Sequence, residues 1–513
     1  MKNDAIPADA QVYVVGDGDF GIDELVAVAR SRARVRLSET PAFRARLATS
    51  ARALHAAIER GEPVYGVTTG YGGSCGNRVD PRDIEALGVN LIRYHGCGTG
   101  APLPIAETRA AMLCRLLCLA RGYSGITPDL LERLTAFLNL GITPCVPSEG
   151  SVGASGDLTP MSYIAAALAG EREVVYRGRR MPAAEALAAA GLPPYRFAPK
   201  EPLAMLNGTS VMTGIAALAV WRSRGLLAAA MEATALAVHG LSGNAGHFHE
   251  TIFDAKPFAG QGRVAARLRE LLAATGAAPR CDDPFALQDP YSLRCAPQIL
   301  GVLADALTWI ERWVEIEANG VNDNPLLDPA TGAVLTGGNF YGGHIALAMD
   351  TLKAALASVA DMADRQIALV VDGRFNRGLP GNLAPANDGD CALHHGFKGM
   401  QITASALTAE MQKNAMPAAV FSRSTETHNQ DKVSLGTIAA RDAARQCELG
   451  ARVAAIHWLA AAQACRLRGG VAVRPALGPL ADWALAQAGL DDGDRPMDAT
   501  IERLAQAILD LAL

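Results

Sequence analysis

Apolar residues recur at three- and four-residue spacing over long stretches of this chain, the mark of helices with one face turned to a core. Residues 39–60 and 104–140 carry the pattern, and each run ends at a turn, Gly61-Glu62-Pro63 and Gly141-Ile142-Thr143-Pro144. It returns at 209–240, 298–319, 343–373, 400–415 and 434–467, mostly in runs longer than a usual globular helix. No heptad repeat accompanies them, so a bundle of long, nearly parallel helices is expected, with Ala letting the backbones approach closely. A short strand pair, Glu173-Val174-Val175-Tyr176 and Arg179-Arg180-Met181, flanks Gly178 as a hairpin. The segments 241–297, 320–342 and 374–399 are rich in Gly, Asn, Asp and Pro, and loops of such length more often carry function than not. The expected fold is mainly all-α, with a smaller N-terminal domain at 1–208 and a long-helix bundle plus C-terminal helices at 209–513.

Composition supports an ordered, heavily buried chain: of 513 residues 50% are hydrophobic and only 19% charged. Aromatics at 5% imply a core of Ala, Leu and Val, which suits closely packed helices. A net charge of −5 without a basic stripe argues against a nucleic-acid binder. The ten cysteines show no Cys-x-x-Cys pair and no framework spacing, so reduced thiols and a cytoplasmic setting are expected. Cys114 and Cys118 share one helical face and read as buried core. The N-terminus, with acids and Pro7, lacks the basic start and apolar stretch of an export signal. The most apolar long stretch, 225–249, is interrupted by Glu232, His239 and Asn244, so no membrane partner is expected.

The most informative chemistry is the tripeptide Ala154-Ser155-Gly156, set between Gly150-Ser151-Val152-Gly153 and Asp157-Leu158-Thr159-Pro160. If the Gly156 nitrogen attacks the Ala154 carbonyl carbon and two waters leave, Ser155 becomes an exocyclic methylene on a five-membered ring, the methylidene-imidazolone group (MIO). Gly156 has no β-carbon to hinder that approach, Ala154 adds little bulk, and Ser155 supplies the hydroxyl that is eliminated. An isolated Ala-Ser-Gly would be an ordinary turn, so the remaining motifs decide. In chain order they are Tyr65-Gly66-Val67-Thr68-Thr69-Gly70-Tyr71-Gly72, the tripeptide segment, Leu206-Asn207-Gly208-Thr209 and Gln288-Asp289-Pro290-Tyr291-Ser292-Leu293-Arg294. Asn322-Asp323-Asn324-Pro325, Gly337-Gly338-Asn339-Phe340 and His428-Asn429-Gln430-Asp431 follow.

Over nearly its whole length this series resembles the MIO-dependent family of histidine, phenylalanine and tyrosine ammonia-lyases and aromatic aminomutases, in its shorter bacterial form. The resemblance implies a histidase-like fold, a cofactor made from Ala154, Ser155 and Gly156, and no metal or diffusible cofactor. It implies a homotetramer whose active sites are each built from three chains. Tyr65 matches the catalytic base, on a loop whose glycines, Gly72 among them, lie close over the substrate. Arg294 fits a clamp for the substrate carboxylate, because its planar fork meets two oxygens at once. Asn207 would hold the MIO carbonyl or the carboxylate, and Tyr291 would assist near the amine. Gln288, Asn324, Phe340 and Gln430 would line or brace the site. The cluster His247-Phe248-His249-Glu250 lacks the helical His-Glu-x-x-His spacing of a metal site.

The family's selectivity pair falls at Tyr94-His95. Histidine lyases carry Ser-His there, phenylalanine lyases Phe-Leu and many tyrosine lyases His-Leu, so neither position settles the substrate. A buried His95 can bond an imidazole or a phenol hydroxyl and discriminate against phenylalanine. Glu410 matches an acid that faces the imidazole in histidine lyases, and phenylalanine lyases resemble it there too. Thr68, Ser210, Phe397-Lys398-Gly399 and the 338–344 segment lean away from histidases. The ranking is tyrosine, histidine, phenylalanine, with a tyrosine 2,3-aminomutase as an alternative using the same residues. A helical scaffold that has lost catalysis is a further alternative, set against Tyr65, Ser155, Asn207, Tyr291 and Arg294 all being present.

Overall fold

The computed structural model describes residues 6–7, 9–275, 287–384, 393–488 and 494–511. It is a mainly helical protein. The long runs form the helices Ser210–Gly240, Ala296–Asn319, Gly343–Val371, Lys398–Lys413 and Gly436–Leu467, close to the periods read from the sequence. The run at 104–140 is not one helix but two, Ile105–Ala120 and Pro128–Leu140. Gly122 and Gly125 between them turn left-handed, and Pro128 starts the second helix, where its missing N–H costs nothing. The hairpin is present as Glu173–Tyr176 against Arg179–Pro182, with Val174 opposite Met181. Short elements escaped the periodicity: the helices Ile22–Ala29, Ile84–Tyr94 and Leu158–Leu168, and a parallel strand pair Gln11–Val15 and Ala33–Leu37.

The chain divides into two compact units, the first being Met1–Trp221, Glu311–Asp350 and Pro417–Arg441. Its core runs along Ile105–Ala120, which is buried on every face from Glu107 to Ala120. Such a helix must satisfy its charged residues inside. Arg109 does so by donating to the Val28, Ala29 and Leu138 carbonyls, at the C-terminal ends of the helices Ile22–Ala29 and Pro128–Leu140, where the backbone dipoles favour a cation. Lys200 is fully buried and meets Asp323 at 2.5 Å. Cys114 and Cys118 are buried here, and burial pushes the Cys114 thiol up to about 12.

The second unit is Arg222–Ile310, Thr351–Met416 and Asp442–Leu513. Within it the helices ending at Gly240 and Leu467 run in the same direction, Ser223 facing Cys447, Leu226 facing Gly450 and Gly240 facing Ala464. A β-carbon on Gly240 would lie 2.8 Å from that of Ala464, so small residues set the approach. Among the described residues no helix is long and apolar enough to cross a membrane, and no group of three or more His, Cys, Asp and Glu side chains is placed to hold a metal.

Candidate active site

Two loops of the first unit meet at a cavity of about 380 Å³. One carries the tripeptide. Asp157 stands just before the helix Leu158–Leu168, and its buried carboxylate accepts from the Val211 and Met212 N–H groups at 2.8 and 2.9 Å, in the first turn of Ser210–Gly240. Thr437 Oγ1 also donates to it. Burial pushes this carboxyl up to about 6 despite those donors. The loop in front is thereby tied down, and it has unusual backbone angles: Ser155 at φ 48 and Gly156 at φ 81 are both left-handed. A β-carbon on Gly156 would sit 2.1 Å from the Gly208 carbonyl oxygen, so no other residue fits. Asp157 N–H donates to that same oxygen at 2.7 Å, and Gly208 N–H donates to Ser155 O at 3.1 Å.

The other loop carries Tyr65. Gly66 turns left-handed at φ 68, and the ring of Tyr71 and the side chain of Leu203 fill the space where its β-carbon would be. The chain therefore doubles back, and Gly72 N–H donates to Tyr65 Oη at 2.8 Å. The Tyr65 and Tyr71 rings meet edge to face at 6.4 Å. Burial pushes the Tyr65 phenol above its ordinary value, the Gly72 N–H opposes this, and Cys75 and the Glu426 carboxylate push it further up.

Tyr65, Gly72, Tyr94, His95, Ser155, Asn207 and Gln430 all line the cavity, so residues up to 365 positions apart meet in one place. Gln430 Nε2 donates to Ser155 Oγ at 3.0 Å. Asn207 Nδ2 donates to the Asn324 carbonyl at 2.8 Å, while its buried Oδ1 has no partner. Asn324 braces that contact from behind, its own Oδ1 accepting from Gly337 N–H at 2.8 Å. His95 Nδ1 lies 3.0 Å from the Leu91 carbonyl, and since a carbonyl only accepts, Nδ1 carries the proton and Nε2 is the acceptor. Burial pulls the His95 pKa below its ordinary value, against the effect of that carbonyl. The Tyr94 ring lies tilted on His95 at 4.4 Å, and burial pushes its hydroxyl up to about 12.

Sequence reading did not single out Ser74, Leu87, Leu203 or the acid Glu426, all of which line the cavity. Glu426 lines it and accepts from Gly73 N–H at 2.9 and 3.1 Å. It begins three consecutive left-handed residues, Glu426, Thr427 and His428. The available signal was an acid just ahead of His428-Asn429-Gln430-Asp431, in a polar loop before a long helix. Phe340 belongs to the first unit and is half-buried, without lining the cavity.

Four other expected residues belong to the second unit. Gln288 is exposed, and Tyr291 and Arg294 bound a single helical turn. Tyr291 is 72% exposed, with the Arg294 guanidinium 4.9 Å from its ring centre. Glu410 is half-buried on Lys398–Lys413 and pairs with Arg445 at 3.1 Å.

The residues present fit a ring closed from Ala154, Ser155 and Gly156. The left-handed turn at Ser155 and Gly156 needs a glycine at the third position of the tripeptide, the cavity receives the Ser155 side chain, and the unpartnered Asn207 oxygen marks a polar group still to be met.

The model of the aromatic amino acid lyase family matches residues 20–486. A histidine ammonia-lyase of Geobacillus thermodenitrificans is 42% identical over 417 residues, 81% of this chain and 82% of that protein. A tyrosine ammonia-lyase of Cereibacter sphaeroides is 40% identical over 512 residues, 96% of this chain and 97% of that one. Among solved structures, the tyrosine aminomutase of Streptomyces globisporus superposes with a TM-score of 0.90 at 35% identity, covering 98% of this chain and 97% of that one.

Proposed function

This chain belongs to the aromatic amino acid lyase family and is a carbon–nitrogen lyase, and within that family we propose that it converts L-tyrosine to trans-4-coumarate and ammonia. The observation that carries the choice of substrate is His95. With Nδ1 held by the Leu91 carbonyl, its Nε2 is an acceptor in the wall of the cavity and receives a phenolic O–H. A phenylalanine ring offers no donor and leaves that acceptor in the cavity wall unmet. L-histidine is the second reading, because an imidazole N–H suits the same acceptor and the Geobacillus relative is named for that substrate.

The remaining roles follow from what elimination requires. An ammonium leaves poorly and a β-hydrogen is barely acidic, so the unaided reaction is very slow. The MIO group, formed from Ala154, Ser155 and Gly156, supplies an electrophile for the substrate amine that makes nitrogen a better leaving group. Tyr65 Oη takes the β-proton, and the Gly72 N–H directed at that oxygen favours the phenolate. Glu426 puts a negative charge into the same cavity and suits the incoming ammonium, which in turn relieves the upward pressure on Tyr65. Gln430 orients Ser155, and Asn207, anchored by its bond to the Asn324 carbonyl, holds the MIO carbonyl or the substrate carboxylate. Arg294 holds the substrate carboxylate and Tyr291 stands near the amine, both supplied by neighbouring copies in a homotetramer.

Proton NMR of the protein incubated separately with L-tyrosine, L-histidine and L-phenylalanine tests this reading. Trans-vinyl signals in the tyrosine tube support it, the same signals only in the histidine tube establish the second reading, and β-amino acid signals establish an aminomutase. No change in any tube defeats the proposal.

A further inference from the structure

Arg294 ends the single turn Tyr291–Arg294, five residues after a buried carboxylate, Asp289. An arginine beside a buried acid is normally consumed by it. Here the acid is already committed: Arg377 Nη2 donates to Asp289 Oδ1 at 2.7 Å, and Asn244 N–H donates to Oδ2 at 2.7 Å. Arg377 is itself fixed, at φ 58, by donating from Nη1 to the Leu241 and Ser242 carbonyls at 3.0 and 2.7 Å. Its own carbonyl accepts from Arg468 at 3.1 Å. His247, from the cluster that lacks metal spacing, serves the backbone instead, its Nε2 accepting from Asp289 N–H at 3.1 Å. Burial keeps that imidazole below its ordinary pKa, with Asp289 acting against this and Arg294 and Arg377 acting with it, so a neutral acceptor is retained. Arg294 is left with one backbone bond, from Nε to the Asp289 carbonyl at 3.3 Å. Among the described residues neither of its Nη groups has a hydrogen bond.

We propose that Arg377, Asp289 and His247 are positioning residues that keep the Arg294 fork uncommitted for the substrate carboxylate. Arg377 occupies the Asp289 carboxylate that would otherwise bind Arg294, and His247 fixes the backbone from which Arg294 projects. The inference rests on Arg294 being the carboxylate clamp.

The test uses the full-length assembled protein and two probes, 3-(4-hydroxyphenyl)propanoate, which has the carboxylate without the amine, and tyramine, which has the reverse. In Arg377→Gln the freed Asp289 turns to Arg294, so the acid probe weakens about tenfold while tyramine is unchanged. Arg377→Gln/Asp289→Asn removes the competing carboxylate and restores acid binding, a rescue that a merely structural role would not give. Equal weakening of both probes, or a double variant as weak as the single one, overturns the inference. If Arg377→Gln does not fold, the double variant stands alone: acid binding like wild type supports the inference and weakened acid binding overturns it. Arg294→Gln separates the two layers. If it binds the acid like wild type the clamp reading fails, whereas a weakened Arg294→Gln beside an unaffected Arg377→Gln defeats only the present inference.

Discussion

At the residue scale, two positions have identities that the backbone and the chemistry leave no freedom to change. Gly156 has a left-handed φ and the Gly208 carbonyl against it, so Gly156→Ala would strain the loop by about 1–3 kcal/mol and hold it out of register for ring closure. The intact mass of this variant should lack the loss of two waters expected of the parent. Tyr65→Phe removes the base without removing the ring, so turnover should fall roughly 100- to 10,000-fold with thermal stability little changed, as steady-state kinetics beside a melting curve would show. The pH profile tests the electrostatics more sharply. Tyr65 lies above the ordinary phenol pKa, mainly through burial, so kcat/KM should climb toward alkaline pH. Glu426 adds to that elevation, and Glu426→Gln should therefore move the climbing limb to lower pH while weakening amine binding. A limb that stays in place would show that the carboxylate does not act on Tyr65.

At the scale of elements, Asp157 joins the tripeptide loop to the start of the helix Ser210–Gly240 through its contacts with the Val211 and Met212 N–H groups. Replacing it with Asn keeps the shape and should cost about 1–2 kcal/mol, as for a lost helix cap. The pH dependence of that cost has a definite sign. The folded carboxyl lies at about 6, above its ordinary value of 3.8, so this site contributes stability that is full below the lower value and is lost as pH rises through the upper one. The Asn variant has no such gain on acidification, and its deficit against wild type should grow between pH 7 and pH 4 in paired melts. Elements also show where sequence reading succeeded. The long helices were legible because their apolar stripes repeat over many turns. The run at 104–140 was read as continuous because Gly122 and Gly125 break a helix by backbone conformation while leaving the apolar pattern nearly intact.

At the scale of the whole molecule, the first unit holds Tyr65, Ser155, Asn207, Glu426 and Gln430 in one cavity, while Tyr291 and Arg294 lie in the second unit. If neighbouring copies supply those two residues, co-expressing Tyr65→Phe with Arg294→Gln should regenerate activity, because some sites of a mixed assembly then receive an intact residue at both positions. Mixtures as inactive as either parent would show that one copy supplies both.

The sequence alone determined the mainly helical class, the tripeptide able to cyclise and several of the residues that line the cavity, because each rests on local pattern or residue type. Only the tertiary structure decided which of them meet. It brought Glu426 beside Tyr65, assigned Asn324 to bracing Asn207, and gave His247 a backbone N–H to accept. These depend on turns with left-handed residues and on contacts between segments hundreds of positions apart, and neither periodicity nor composition encodes where such segments cross.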